Sequence, residues 1–236
     1  MISCRGLDEP PERLARPLPG RASFQTSSSD HPADPLARAT LEAWLASIPG
    51  LEALALSPLT RVRLEDCRRI CEELRAVLSG TESGEGRASE RTLHFASVEG
   101  HIQALSSMFA CPGGTFIELL ATAPWNILGH ADPPDPRTVR GAGTALVMEA
   151  MAWSSRRGCG GRVALQAENP RTLPYYEKLG FFVMQPSHRP LLFVPRGEKG
   201  WSSSIQRVAL GMPGREEERS PWLLLDPMAQ ARQQAA

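Results

Sequence analysis

Apolar positions along the chain switch between helical and strand-like spacing, and each switch marks an element. After Asp34-Pro35, a capping residue followed by a first-turn proline, Leu36, Leu41, Trp44 and Leu45 share one helical side. Pro49-Gly50 is expected to end that helix. Leu59, Val62 and Leu64 predict a first strand, after which Asp66 caps a helix carrying Ile70, Leu74 and Val77 on one face, with Gly80 closing it. Residues 92–98 and 101–110 alternate apolar and polar around Glu99-Gly100, the pattern of a hairpin. Residues 115–123 form a strongly apolar strand with one carboxylate, Glu118, near its middle. Gly129, Pro133, Pro134 and Pro136 make 124–139 a loop.

The helix expected from about Gly141 to Arg157 has Ala142, Ala145, Leu146, Ala150 and Trp153 on its apolar face, and Gly158 stops it. Residues 163–167 read as a strand. Asn169-Pro170 restarts a helix that Gly180 ends, and 181–184 begin another strand. A last strand is expected at 191–194 or 205–210, the second being favoured. This order predicts an α/β fold: a mixed, mostly antiparallel central sheet flanked by helices. Four segments follow: a Pro-, Arg- and Ser-rich leader (1–34) read as disordered, a helical extension (35–58) that packs on the domain or stands apart, the main domain (59–212), and a tail (213–236). The tail contains the charge run 215–219 and a short apolar patch at 222–225.

Composition narrows the function classes. Lys+Arg and Asp+Glu are 26 each, and this balance predicts neither a nucleic-acid nor a membrane partner. The five cysteines are sparse and odd in number, so no disulfide framework is expected. Cys67 and Cys71 share one helix face, but no further Cys or His accompanies them; two core thiols are expected rather than half a zinc site, and no metal is implied. No run reaches membrane-spanning length, so a cytoplasmic location is expected, with an unusual secretion signal in the leader left open.

The chemistry concentrates at Arg140-Gly141-Ala142-Gly143-Thr144-Ala145, where glycines leave the backbone bare at a helix start. The first amides of a helix lack intrahelical acceptors and carry partial positive charge, which suits a phosphate. A dinucleotide fingerprint needs a third glycine where Leu146 stands, and a Walker loop needs a Gly-Lys-Ser/Thr that is absent. A third pattern, Gln/Arg-x-x-Gly-x-Gly/Ala, is satisfied by Arg140, Gly143 and Ala145. Plain loop closure is the structural alternative.

The run Asn169-Pro-Arg-Thr-Leu-Pro-Tyr-Tyr-Glu-Lys-Leu-Gly-Phe181 resembles the C-terminal signature of the GNAT N-acetyltransferase superfamily, with Asn169 seven positions before Tyr176. Leu120-Ala-Thr-Ala-Pro124 is similar to that family's central strand, and the Gln/Arg-x-x-Gly-x-Gly/Ala pattern is its phosphate turn. The resemblance spans about 59–212 and is firmest over 115–182. Two departures stand out: the insertion 125–139 before the turn, read as a lid or substrate-binding loop, and a single helix before the hairpin where the family has two.

The resemblance implies an acetyl-CoA-dependent N-acetyltransferase acting on a small-molecule or peptide amine by direct attack in a ternary complex. It implies that Arg140, Gly141, Ala142, Gly143, Thr144 and Ala145 hold the cofactor's pyrophosphate. Leu120, Ala121 and Thr122 would orient the thioester and pantetheine through their backbone, and Asn169 would bind the pantetheine arm. Tyr176 is the expected general acid for the departing thiolate, against a purely packing role; adjacent Tyr175 is read as pointing elsewhere. Glu118 is the expected general base, against a solvent-facing carboxylate. A non-catalytic acyl-CoA-binding or protein-interaction module is the alternative function, and acyl length, acceptor and oligomeric state stay open.

Overall fold

The computed structural model describes residues 23–29, 34–79, 91–111, 113–129, 132–133, 135–167, 170–184 and 222–230. Among these residues, seven strands form one sheet in the order β1-β2-β3-β4-β5-β7-β6. These are β1 (Gln25–Ser29), β2 (Arg91–Val98), β3 (His101–Cys111), β4 (Gly114–Thr122), β5 (Val163–Gln166), β6 (Phe182–Val183) and β7 (Trp222–Leu225). Every pairing is antiparallel except β4 with β5. The fold is therefore α/β with a mixed, mostly antiparallel sheet, as the order of patterns predicts. Glu99 and Gly100, at φ 51° and 79°, turn the β2–β3 hairpin with the left-handed residues such a tight connection favours.

Helices cover both faces. From α3 (Ala142–Arg156), Ala142, Leu146, Val147 and Ala150 pack on Ala104, Met108, Ile117, Val163 and Leu165. On the other face, α1 (Pro35–Leu54) and α2 (Pro58–Ser79) bring Leu41, Trp44, Cys71 and Leu74 against Leu93, Phe95 and Leu105. A short helix, α4 (Leu173–Lys178), follows a 3-10 turn, Pro170–Thr172.

Four local expectations are corrected. Residues 59–64 are helical rather than a strand: the buried series Leu64, Cys67, Cys71, Leu74, Leu78 continues upstream to Thr60, so α2 begins at Pro58 and Asp66 lies inside it instead of capping it. Pro49-Gly50 does not end α1, which runs on to Leu54 because Ile48 and Leu51 are buried on either side of the proline. With both helices packed before the hairpin, the supposed shortage of one helix disappears. Gln25–Ser29, inside the segment read as disordered, is an edge strand whose polar sequence has no alternation to betray it; backbone pairing with β2 holds it. The apolar patch of the tail is β7, fully buried between β5 and β6. The two segments proposed for the last strand lie outside the described residues.

The insertion between β4 and α3 is strapped down. Pro124–Ile127 forms a 3-10 turn, and the Asn126 side chain donates to Gln103 Oε1 (3.0 Å) while accepting from Val139 N (2.6 Å). The Arg137 guanidinium lies 4.2 Å over the Trp125 ring. At the far end, buried Asp132 accepts from Leu56 N (2.8 Å), Ser57 N (3.1 Å), Thr60 Oγ1 (2.6 Å) and Gly129 N (2.7 Å). One carboxylate thus ties the insertion to the start of α2, where a negative charge also suits the helix dipole. The described residues of the loop read as a lid or substrate-binding loop are thus tied to β3 and to the start of α2.

The Thr60 hydroxyl, helped by the three amides, holds the Asp132 carboxyl down at about 2. A depressed folded-state value means that its stabilisation is complete above the ordinary carboxylate range and is lost as pH falls through about 2. Asp132→Asn should destabilise the protein by about 2 kcal/mol or more. In thermal melts, its deficit against wild type should stay constant above about pH 5 and shrink between about pH 4 and 2. A deficit that is the same at every pH would contradict the charged role.

Candidate functional site

The cleft arises where the single parallel pairing stops. β4 and β5 are in register only at Thr115–Val163, Phe116–Ala164 and Ile117–Leu165. Beyond these the strands part, leaving Glu118–Thr122 on one arm and Gln166 on the other. The gap holds a cavity of about 400 Å³ that both arms line, with α2 closing one side and Tyr175 and Tyr176 of α4 the other. On its opposite edge β4 stays paired with β3 through Thr122. The backbone groups of 119–122 on that side therefore have no partner on β5. Such groups call for a partner from solvent or ligand.

The register of β3 and β4 shifts at the same place: Met108 opposes Ile117 and Ser107 opposes Leu119, so Glu118 is an extra residue, a bulge. Its carboxylate accepts from Arg91 (2.9 Å) and from the Ser107 hydroxyl (2.9 Å). Neither the solvent-facing carboxylate nor a solitary one is what the structure contains. Glu118 sits in a three-residue polar network at the floor of the cleft.

The glycine turn 140–145, expected from the sequence to be a phosphate turn, lies beside Thr122 and Leu120. Gly141 has φ 102°, a left-handed conformation that favours glycine, and no side chain caps α3. The first helical bond is Ala145 N to Gly141 O (2.9 Å), so the amides of Ala142, Gly143 and Thr144 precede the helix's own acceptors. Ala142 and Gly143 are buried and Ala145 packs against the core beside α3. The Arg140 guanidinium, which sequence reasoning aims at a phosphate, donates to the carbonyls of Asn126 (2.8 Å) and Leu128 (2.6 Å). Arg140 lines the cleft while buttressing the insertion.

Tyr176 packs its ring on Phe181 (5.4 Å) and Tyr175 (5.0 Å), and burial, then the neighbouring Tyr175, pushes its phenol well above the ordinary value. It is therefore protonated through neutral and mildly alkaline pH. Tyr175 does not point elsewhere: its hydroxyl lies 3.2 Å from Thr144 Oγ1, at the phosphate turn. Leu120, Ala121 and Thr122 line the cleft as expected of that strand, whereas Asn169 lies outside the described residues.

Sequence reasoning missed the Arg91–Ser107 pair around Glu118 and the Asp66–Arg171 ion pair (2.9 Å) that joins α2 to the turn before α4 at the cleft rim. Contacts between elements this far apart in the chain leave no local signal. Cys67 also lines the cleft. Its Sγ is 4.0 Å from that of Cys71, whose thiol, together with burial, keeps the Cys67 thiol well above its ordinary value, so it is not a thiolate nucleophile.

The sequence model of the acetyltransferase (GNAT) family matches residues 136–181, the stretch from the phosphate turn to Phe181. Over that stretch the chain is similar to the GNAT family of acetyltransferases. No curated protein matches it by sequence. Among solved GNAT structures, a candidate acetyltransferase from Desulfovibrio desulfuricans is 14% identical, with 87% of this chain and 99% of that one covered and a TM-score of 0.47. The PaiA N-acetyltransferase of Thermoplasma acidophilum, in complex with coenzyme A, is 16% identical over 68% and 91% of the two chains, with a TM-score of 0.39. A GNAT acetyltransferase of Elizabethkingia anophelis with acetyl-CoA bound is 12% identical over 58% and 76%, with a TM-score of 0.34. No helix among the described residues is long and apolar enough to cross a membrane.

Because the Arg140 guanidinium bridges two carbonyls of the insertion, Arg140→Ala should cost about 1 kcal/mol of stability and speed amide exchange across 124–128. A variant that loses cofactor affinity yet leaves stability and exchange unchanged would make Arg140 a phosphate ligand alone.

Proposed function

We propose that the protein transfers an acetyl group from acetyl-CoA to a primary amine by direct attack in a ternary complex. The observation that carries this reading is the parting of β4 and β5 beside the open start of α3. One gap offers the β4 edge beyond its β5 pairing to a pantetheine arm, and the helix start offers amides to a pyrophosphate. The similarity of residues 136–181 to the GNAT acetyltransferase family supports acetyl-CoA as the co-substrate. The same reading uses the backbone of Leu120, Ala121 and Thr122 to orient the thioester, residues 140–145 for the pyrophosphate, and Asn169 for the pantetheine arm.

The reaction needs two protons removed from the acceptor nitrogen, one before attack and one after it, and one supplied to the leaving sulfur. An acceptor arrives as an ammonium and must lose a proton before its nitrogen attacks the thioester carbonyl. Glu118, at the cleft floor and in contact with Arg91 and Ser107, takes that proton, directly or through water. The new C–N bond forms as the C–S bond breaks, the nitrogen's second proton passes to solvent, and the leaving thiolate takes the Tyr176 proton. Holding the phenol protonated by burial keeps that proton available over the working range. The occupied oxygens of Glu118 favour one competing reading, an acyl-CoA-binding module without turnover.

Acetylation of a panel of amines by the purified protein, with thiol release as the readout, tests the proposal. Tyr176→Phe should lower kcat about 10²-fold or more with little change in coenzyme A affinity. Because the phenol is raised, wild-type kcat should show no descending limb from this group up to about pH 10. Tight acetyl-CoA binding with no turnover on any amine would favour the binding module instead.

A further inference from the structure

We infer that Tyr175 is a cofactor-positioning residue, its hydroxyl donating to the phosphate groups held at the start of α3. The inference rests on the acetyl-CoA reading of the cleft. Residues 140–145 supply backbone amides, but the one guanidinium of that turn is committed to the Asn126 and Leu128 carbonyls. The hydroxyl of Tyr175 does reach the turn from α4. It lies 3.2 Å from Thr144 Oγ1. A β-carbon placed on Gly143 would stand 3.4 Å from that hydroxyl, 3.4 Å from Thr122 Cγ2 and 3.6 Å from Leu120 Cδ2. The phenol therefore spans the mouth between the open arm of β4 and the bare helix start.

Its aim is fixed by packing. The Tyr175 ring meets Tyr176 edge-on at 5.0 Å, and Tyr176 in turn meets Phe181 at 5.4 Å. Tyr175 is 39% exposed and lines the cleft. Two adjacent tyrosines thus divide the work. The buried one packs on Phe181, and the exposed one, with Thr144, places two hydroxyl groups beside the start of α3. Hydrogen bonds to charged oxygens are the stronger kind.

The test is calorimetric titration of wild type and Tyr175→Phe with coenzyme A and with S-acetylpantetheine, which lacks the diphosphate and nucleotide. The substitution keeps the ring, and an unchanged melting temperature verifies the fold. Coenzyme A affinity should fall about tenfold or more while S-acetylpantetheine affinity stays the same. Equal loss for both ligands would place the phenol on the pantetheine arm and overturn the inference. Unchanged or tighter coenzyme A binding would overturn it too. A wild-type protein that binds no coenzyme A would instead remove the acetyl-CoA reading on which it stands.

Discussion

The separation of β4 from β5 after three paired residues is the constraint on which the rest of this structure depends. A parallel pair normally continues until one strand ends, because unpaired amides cost free energy. Here β4 continues to Thr122 on its β3 edge while its other edge opens at Glu118. A bulge at that same residue turns the strand, and β5 is drawn away by its antiparallel partner β7. The divergence produces the cleft, the exposed strand edge and the room for α4, all from one break in pairing.

Keeping such a break open requires rigid walls, which the insertion and the two N-terminal helices supply. Asp132 clamps the insertion to the start of α2, Asn126 and Gln103 fix its near end to β3, and Arg140 joins it to the phosphate turn. Trp44 meets Trp125 edge-on at 6.5 Å, so α1 supports the same wall. Each contact joins the element before the turn to one already fixed by the core. The start of α3 is thereby held beside the end of β4.

The motif-bearing half of the site is legible in the chain, and the reasons are local. Glycines that leave a helix start bare, a proline-led helix and an apolar strand each report their own backbone. The order of these patterns conveys a mixed sheet with helices on it. What was not legible depends on distant partners. β1 is polar and exists because β2 has an edge to offer; β7 is four residues long and is a strand because β5 and β6 lie on either side. The start of α2 was misread because Leu59, Val62 and Leu64 fit a strand as easily as a helix until Asp132, far along the chain, occupies the helix start. The direction of Tyr175 could not be read from helical spacing alone, since α4 is under two turns long and its placement follows the ring stack.

Hydrogen exchange by mass spectrometry with and without saturating coenzyme A tests the central claim most directly, because it reads the cleft-facing amides themselves. An acyl-CoA held between the parted strands predicts new protection confined to residues 119–122 and 141–145, with the β2–β3 hairpin unchanged. Coenzyme A that binds while leaving both segments exchanging at their free rates would show that the gap between β4 and β5 is not its site.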